Sequence, residues 1–279
     1  MGASSKLEFG YHLPVTQSID YVMKCAGKAA ELGFDLISHQ DHFLVISDES
    51  GCRPECWVFL TAVAVKYNVK VMPLVLCSLF RNPALLAKMV TTLDQLSKGR
   101  VYLGIGACWW REEFEAYGYP WEDARTRVDK TEEVIKILKA LWTEEAVNFK
   151  GRYWSLVNCR LVPRPYQRPH PPIVNGGHGR RMLRITARLC DGWVGVTKDL
   201  DAYREKMEYV KKYLAKPPEE FIWGNVIDVR EGDKAEDLVS LVEDFVKLGV
   251  NLVIFFVHPQ PKNYELLDEV GKVVAHFKG

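Results

Sequence analysis

Two groups of titratable side chains stand where apolar segments end. Asp41 and His42 follow the short segment Phe34-Asp35-Leu36-Ile37-Ser38, and Glu112 and Glu113 lie shortly after Leu103-Gly104-Ile105-Gly106. Imidazole titrates near neutral pH, so His42 is the first candidate to donate or remove a proton, with Glu112 or Glu113 as the second. The alternative for His42 is hydrogen bonding without proton transfer. A third group is Asn175-Gly176-Gly177-His178-Gly179-Arg180-Arg181, where a strand-like stretch enters a helix. Free N–H groups, the helix dipole and two guanidinium groups there favour an anion such as phosphate. A flexible turn with solvated arginines is the plainer alternative. The spacing is not that of a dinucleotide fingerprint, and no P-loop lysine follows.

Glycines 104 and 106 remove Cβ atoms from a strand end, which admits either a flat ligand or a closely packed backbone. Trp109, Trp110 and Trp121 can line a ring-binding cleft or simply cover the end of a core. His39, His42, Cys52 and Cys56 have the outline of a zinc site. No metal is expected there, because a chain with a large core needs no metal staple. No serine nucleophile elbow and no H-E-x-x-H helix are present.

The elements that must position these residues alternate. Strand-like segments at 7–13, 34–38, 69–76, 101–106, 173–175, 192–196, 221–229 and 252–257 are each followed by a stretch with helical apolar spacing. Ser18 is placed to cap the first helix, and Asn82-Pro83 to start the third. Pro73 cannot donate to a ladder, so the third strand should be irregular. Residues from about 145 to 172 interrupt the rhythm with a hairpin around Lys150-Gly151 and a proline-rich run. This alternation fits an α/β fold, a (β/α)8 TIM barrel spanning residues 1–279 as one domain, with an insertion between strands 4 and 5. An open doubly wound sheet is the alternative.

In a barrel, the carboxyl ends of all strands share one face. Asp41 and His42 would then meet Cys77, Ser78, Cys108 to Glu113, Gly176 to Arg181, Thr197, Lys198 and His258. The composition agrees with a globular chain: 48% hydrophobic and 26% charged residues, with a net charge of +1 that offers no general field for nucleic acid or membrane. The seven widely spaced cysteines read as reduced thiols, and no leader-like or membrane-spanning apolar run appears, so a cytoplasmic protein is expected.

Arg81-Asn82-Pro83-Ala84-Leu85-Leu86-Ala87-Lys88, Thr92 to Arg100, Leu103 to Gly106, and Gly176-Gly177 through Ala187 to Trp193 together resemble the bacterial luciferase-like monooxygenase superfamily, in its coenzyme F420-dependent branch. The resemblance implies hydride transfer between coenzyme F420, a deazaflavin, and a small organic substrate. It places the phosphate near Gly177, His178, Gly179, Arg180 and Arg181, with Lys198 a further cation for the acidic cofactor tail. It implies a strand bulge behind the ring near Leu76-Cys77-Ser78, often with a cis non-prolyl peptide, and maps the family's Asp-His pair onto Asp41 and His42. Gly106, Cys108 and Trp109 would lie at the ring. Where some sugar-phosphate dehydrogenases of the family carry an acidic residue, this chain has Trp109, which argues against a sugar-phosphate substrate. An FMN-dependent monooxygenase using molecular oxygen and a non-catalytic flavin-binding barrel are the alternatives, and the family suggests a homodimer.

Overall fold

The computed structural model describes residues 6–14, 18–44, 53–257 and 264–279. In chain order the first elements are β1 (Glu8–His12), α1 (Ile19–Glu31), β2 (Leu36–His39), α2 (Cys56–Lys66), β3 (Lys70–Pro73), β4 (Leu76–Cys77), α3 (Pro83–Ser97) and β5 (Leu103–Gly106). Next come α4 (Arg111–Ala116), α5 (Ala124–Thr143), β6 (Val147–Lys150), β7 (Ser155–Cys159), β8 (Ile173–Asn175) and α6 (Arg180–Leu189). The last are β9 (Gly192–Val196), α7 (Leu200–Lys211), β10 (Ile222–Val229), α8 (Ala235–Leu248), β11 (Leu252–Val257) and α9 (Glu265–Lys278).

All strands but the β6–β7 hairpin join one parallel sheet, in the order β3-β2-β1-β11-β10-β9-β8-β5-β4. The two terminal members, β3 and β4, are halves of a single stave broken at the cis Leu74–Val75 bond. The lower half pairs with β2, the upper half pairs with β5, and a bridge between Val71 and Val101 closes the circle. The result is an α/β barrel of eight staves. The hairpin falls where the insertion was expected.

Local chemistry explains the boundaries. The Ser18 hydroxyl accepts from the Tyr21 N–H at 3.3 Å, and the Asn82 side chain accepts from Ala84 and Leu85 N–H groups at 2.9 and 3.3 Å. Each satisfies an N–H that an open helix start would leave unpaired. Helix α3 ends at Lys98 and Gly99, with φ of 55° and 85°, a left-handed stop that glycine accommodates. Between strands and helices lies the main apolar core, while Leu36, Met72, Val174, Val194, Val226, Leu252 and Ile254 fill the barrel interior. A barrel filled in this way is a packed support, not a pore.

Three findings depart from the sequence reading. The cis peptide lies at Leu74–Val75, just before the expected bulge at Leu76-Cys77-Ser78. A six-residue helix, α4, stands between β5 and the one helix, α5, that was expected after that strand. The cysteines are not all reduced thiols. Cys77 and Cys108 form a disulfide with Cα atoms 5.1 Å apart, and among the described residues Cys25, Cys56, Cys159 and Cys190 are free. The pairing follows from the barrel, which sets the ends of β4 and β5 side by side; a sequence separation of 31 gives no hint of it. Among the described residues no helix is long and apolar enough to cross a membrane.

Candidate active site

At the carboxyl ends of the strands a cavity of about 580 Å³ opens. Its floor is Val75, raised by the break between β3 and β4. A Cβ on Gly106 would come within 2.8 Å of Val75 Cγ2, and one on Gly176 within 2.8 Å of Val75 Cγ1. These glycines therefore make room for the valine from both sides. Gly104 has another task, since a Cβ there would meet the Pro73 carbonyl oxygen at 1.9 Å. Backbone packing accounts for Gly104, whereas Gly106 and Gly176 shape the cavity.

Asp41 is buried and its carboxylate is fully engaged. It accepts from Arg81 Nη1 and Nη2 at 2.7 and 2.9 Å and from the Cys77 N–H at 2.9 Å. Arg81 also reaches Glu55. Asp41 thus fixes the β4 end and borders the cavity. Leu76, on the same short strand, lines the cavity beside Cys77. Ser78 is buried next to it and bonds Thr131 Oγ1 at 2.8 Å, away from the lining.

His42 borders the cavity, and its Nδ1 lies 2.9 Å from Glu113 Oε2. The other Glu113 oxygen accepts from the Phe43 and Leu44 N–H groups at 2.6 and 3.0 Å. Burial raises the Glu113 carboxyl pKa, but the hydrogen bonds from His42 and the two N–H groups outweigh it and hold the group below the ordinary carboxylate range. An ionised Glu113 favours the tautomer with its proton on His42 Nδ1. Glu112 is exposed on α4 and outside the lining. Of the two carboxylates, only Glu113 reaches the imidazole.

Trp109 and Trp110 stack at 5.8 Å and 11°, each with an edge near His42 at 5.5 and 5.6 Å. Trp109 is 62% exposed at the rim. Trp121 stands behind them against Phe114 at 5.2 Å. The Cys77–Cys108 bond ties the start of this aromatic turn to β4.

Opposite, Gly176, Gly177, His178, Gly179 and Arg181 line the cavity at the start of α6. Gly179 is the N-cap and supplies no side-chain cap, so the first N–H groups of α6 keep their capacity for an anion. Arg181 pairs with Asp129. Arg180 points to a neighbouring cleft between α6 and α7, with its guanidinium 5.7 Å from the Tyr209 ring centre. Lys198 pairs with Asp233 at 2.7 Å, outside the cavity lining. His258 and Cys52 lie outside the described residues. Among the described residues no cluster of three metal-ligating side chains occurs, and Cys56 donates to the His39 carbonyl at 3.3 Å.

Two contributors escaped the sequence reading. Val75 had no signal beyond the nearby Pro73. Arg127 reaches the cavity from α5, bonding the Ala107 carbonyl at 3.3 Å and lying 3.9 Å over the Trp121 ring; a charged residue within a helical pattern reads as a solvated one.

The family model for luciferase-like monooxygenases matches residues 2–265. Similar curated proteins include an F420-dependent glucose-6-phosphate dehydrogenase of Amycolatopsis mediterranei (strain U-32), 34% identical over 67% of this chain and 56% of that protein. An FMNH(2)-dependent dimethylsulfone monooxygenase of Pseudomonas putida is 28% identical over 71% of this chain and 54% of that protein. The chain thus spans about half the length of these curated relatives. In fold it resembles an F420-dependent secondary alcohol dehydrogenase solved with an F420-acetone adduct, at a TM-score of 0.87 and 20% identity over 98% of this chain and 100% of that one. A barrel closed through a split third stave, carrying the sequence signature across nearly its whole length, belongs to the luciferase-like monooxygenase family.

Proposed function

We propose that the chain is an oxidoreductase that transfers a hydride between coenzyme F420 and a small organic substrate. The observation that carries this reading is the His42–Glu113 pair at the side of a cavity floored by Val75. The residues fit a ring with a phosphate-bearing tail. Gly106 and Gly176 leave the floor flat, and the uncapped start of α6 offers N–H groups to the phosphate. When bound, the deazaflavin supplies the hydride chemistry, and the chain supplies position and electrostatics.

In this reading His42 Nε2 gives a proton to, or takes one from, the substrate oxygen as charge develops there. Glu113 holds the imidazole in the required tautomer. Asp41 and Arg81 act indirectly by fixing the β4 end. The aromatic turn Trp109–Trp110 keeps water from one side of the cavity. Trp109, a neutral and exposed ring, favours an apolar or planar substrate over a sugar phosphate. The protein is further proposed to be cytoplasmic, homodimeric and one barrel domain over residues 1–279.

The similarity to the Pseudomonas putida enzyme supports a second reading, an FMN-dependent monooxygenase. Titration with both cofactors separates the two. Micromolar binding of coenzyme F420 supports the first; binding of FMN alone, or of neither, rejects it.

A further inference from the structure

The Cys77–Cys108 bond has a setting that frame-stiffening does not explain. Both residues line the cavity. Cys108 has φ of 59°, a left-handed conformation that glycine or asparagine adopts far more readily than cysteine. Backbone preference therefore argues against cysteine at this position, and its sulfur is the reason for it. Four other cysteines among the described residues remain free. Cys77 is 6% exposed, whereas Cys108 is half-buried, so of the two residues Cys108 is the more accessible from the cavity.

We propose that this disulfide is a thiol-exchangeable site in the cavity wall, open to a small thiol or dithiol, and that its state fixes or frees the turn bearing Trp109 and Trp110. The exchange balances with a dithiol as donor. One donor thiolate attacks Cys108 Sγ, the S–S bond breaks, and Cys77 leaves as a thiolate that takes a proton from water. The second donor sulfur attacks the mixed disulfide and releases Cys108 as a thiol. The donor departs as a disulfide, having given up two electrons and two protons. The β4–β5 ladder, Leu76 with Ile105 and Cys77 with Gly106, does not depend on the bond. What reduction loosens is the segment from Ala107 to Trp110.

This inference stands apart from the hydride-transfer reading except where a ring ligand is used as a probe. A preorganised aromatic wall should hold a flat ring more tightly than a loose one. By reciprocity the ring should then protect the disulfide by the same factor. A tenfold difference in affinity corresponds to about 30 mV in the potential of the pair.

The test treats the folded full chain with dithiothreitol without denaturant, then alkylates it in denaturant and measures its mass. Two more of the seven cysteines should be alkylated than in the untreated protein. Tryptophan emission should rise on reduction, because disulfides quench neighbouring indoles, and Trp109→Phe with Trp110→Phe should remove most of that rise. Cys108→Gly, which also suits the left-handed backbone, and Cys77→Ala should show the reduced emission level regardless of dithiothreitol. FMN and coenzyme F420, titrated into each form, should bind about tenfold more weakly once the bond is open. Equal alkylation before and after treatment overturns the proposal, as does emission unchanged by reduction. If neither ring ligand binds any form, the hydride-transfer reading fails, while alkylation and emission still decide this one.

Discussion

Replacing Gly104 by alanine tests the account of the barrel's interior. The added methyl would lie 1.9 Å from the Pro73 carbonyl oxygen. An ordinary carbon–oxygen contact needs more than ~1 Å of additional separation. That oxygen belongs to backbone held in place by the His39–Pro73 register and by the Leu74 N–H bond to the His39 carbonyl at 2.8 Å. It cannot swing aside as a side chain can. Overpacking against a flexible neighbour costs about 1–3 kcal/mol, so a clash with fixed backbone should reach about 3 kcal/mol or more. For a chain of this size the thermal midpoint should fall by roughly 6–12 °C. Gly106→Ala is the internal comparison, since its methyl would meet Val75 Cγ2 at 2.8 Å. It should cost about 1 kcal/mol, and Val75→Ala should recover most of that in a double-mutant cycle. Gly179→Ala, with φ of −71° and no atom within 4 Å of its Cβ, should leave the midpoint unchanged. Urea and thermal unfolding would measure all of these. A Gly104→Ala protein as stable as the parent, or one rescued by Val75→Ala, would refute the packing argument.

Other outcomes follow from the site. His42→Asn should lower turnover by about 100-fold while changing cofactor affinity little, in steady-state kinetics paired with a binding titration; unchanged turnover removes the imidazole from the chemistry. Glu113→Gln should reduce turnover by about tenfold or more and move the pH profile of kcat, because the partner of Nδ1 loses its charge; a profile that does not move argues for a purely structural carboxylate. Asp41→Asn should destabilise the fold by about 2–3 kcal/mol in urea, less than a fully orphaned buried charge because Arg81 keeps Glu55. Acid should weaken the protein through two buried histidines. Burial holds His12 down to about 3 and His39 down to about 4, from an ordinary 6.5. The unfolded chain therefore binds protons below about 6.5 that the folded chain refuses, so stability is intact above that pH and declines as it falls toward 4. Each such histidine contributes up to about 1.4 kcal/mol per pH unit over that window. A urea midpoint that stays level between pH 6.5 and 4.5 would contradict this.

The barrel was legible because apolar periodicity and helix caps are local. Ser18, Asn82 and Pro83 announce their helices without knowledge of the rest of the chain. The gathering of strand ends then required only the topology, which brings His42, Glu113, Cys108 and Gly177 to one cavity. What could not be read depends on contacts across the barrel. Whether Glu112 or Glu113 meets His42 is decided by the phase of α4, a helix too short to leave a periodic trace. The pairing of Asp41 with Arg81, forty positions away, is likewise invisible in one dimension. The cysteines misled for the same reason: a pair formed between adjacent staves has no characteristic spacing. Lys198 had the right charge and lay at the end of a strand, yet Asp233 claims it.

The split third stave has a consequence for how such a cavity can change. On its β5 side, β4 is held by backbone pairing, but on the β2 side the bond to the Cys77 N–H comes from a carboxylate, that of Asp41. The β2 edge of the cavity floor is thus held by one backbone bond, from the Leu74 N–H to the His39 carbonyl, and by one to a side chain, which a substitution can exchange. A substitution at Asp41 or Arg81 therefore acts on the floor next to Val75 without removing a ladder hydrogen bond of its own. Barrel closure and the shape of the cavity thus rest on different bonds, and the Asp41–Arg81–Glu55 group is one of the joints between them.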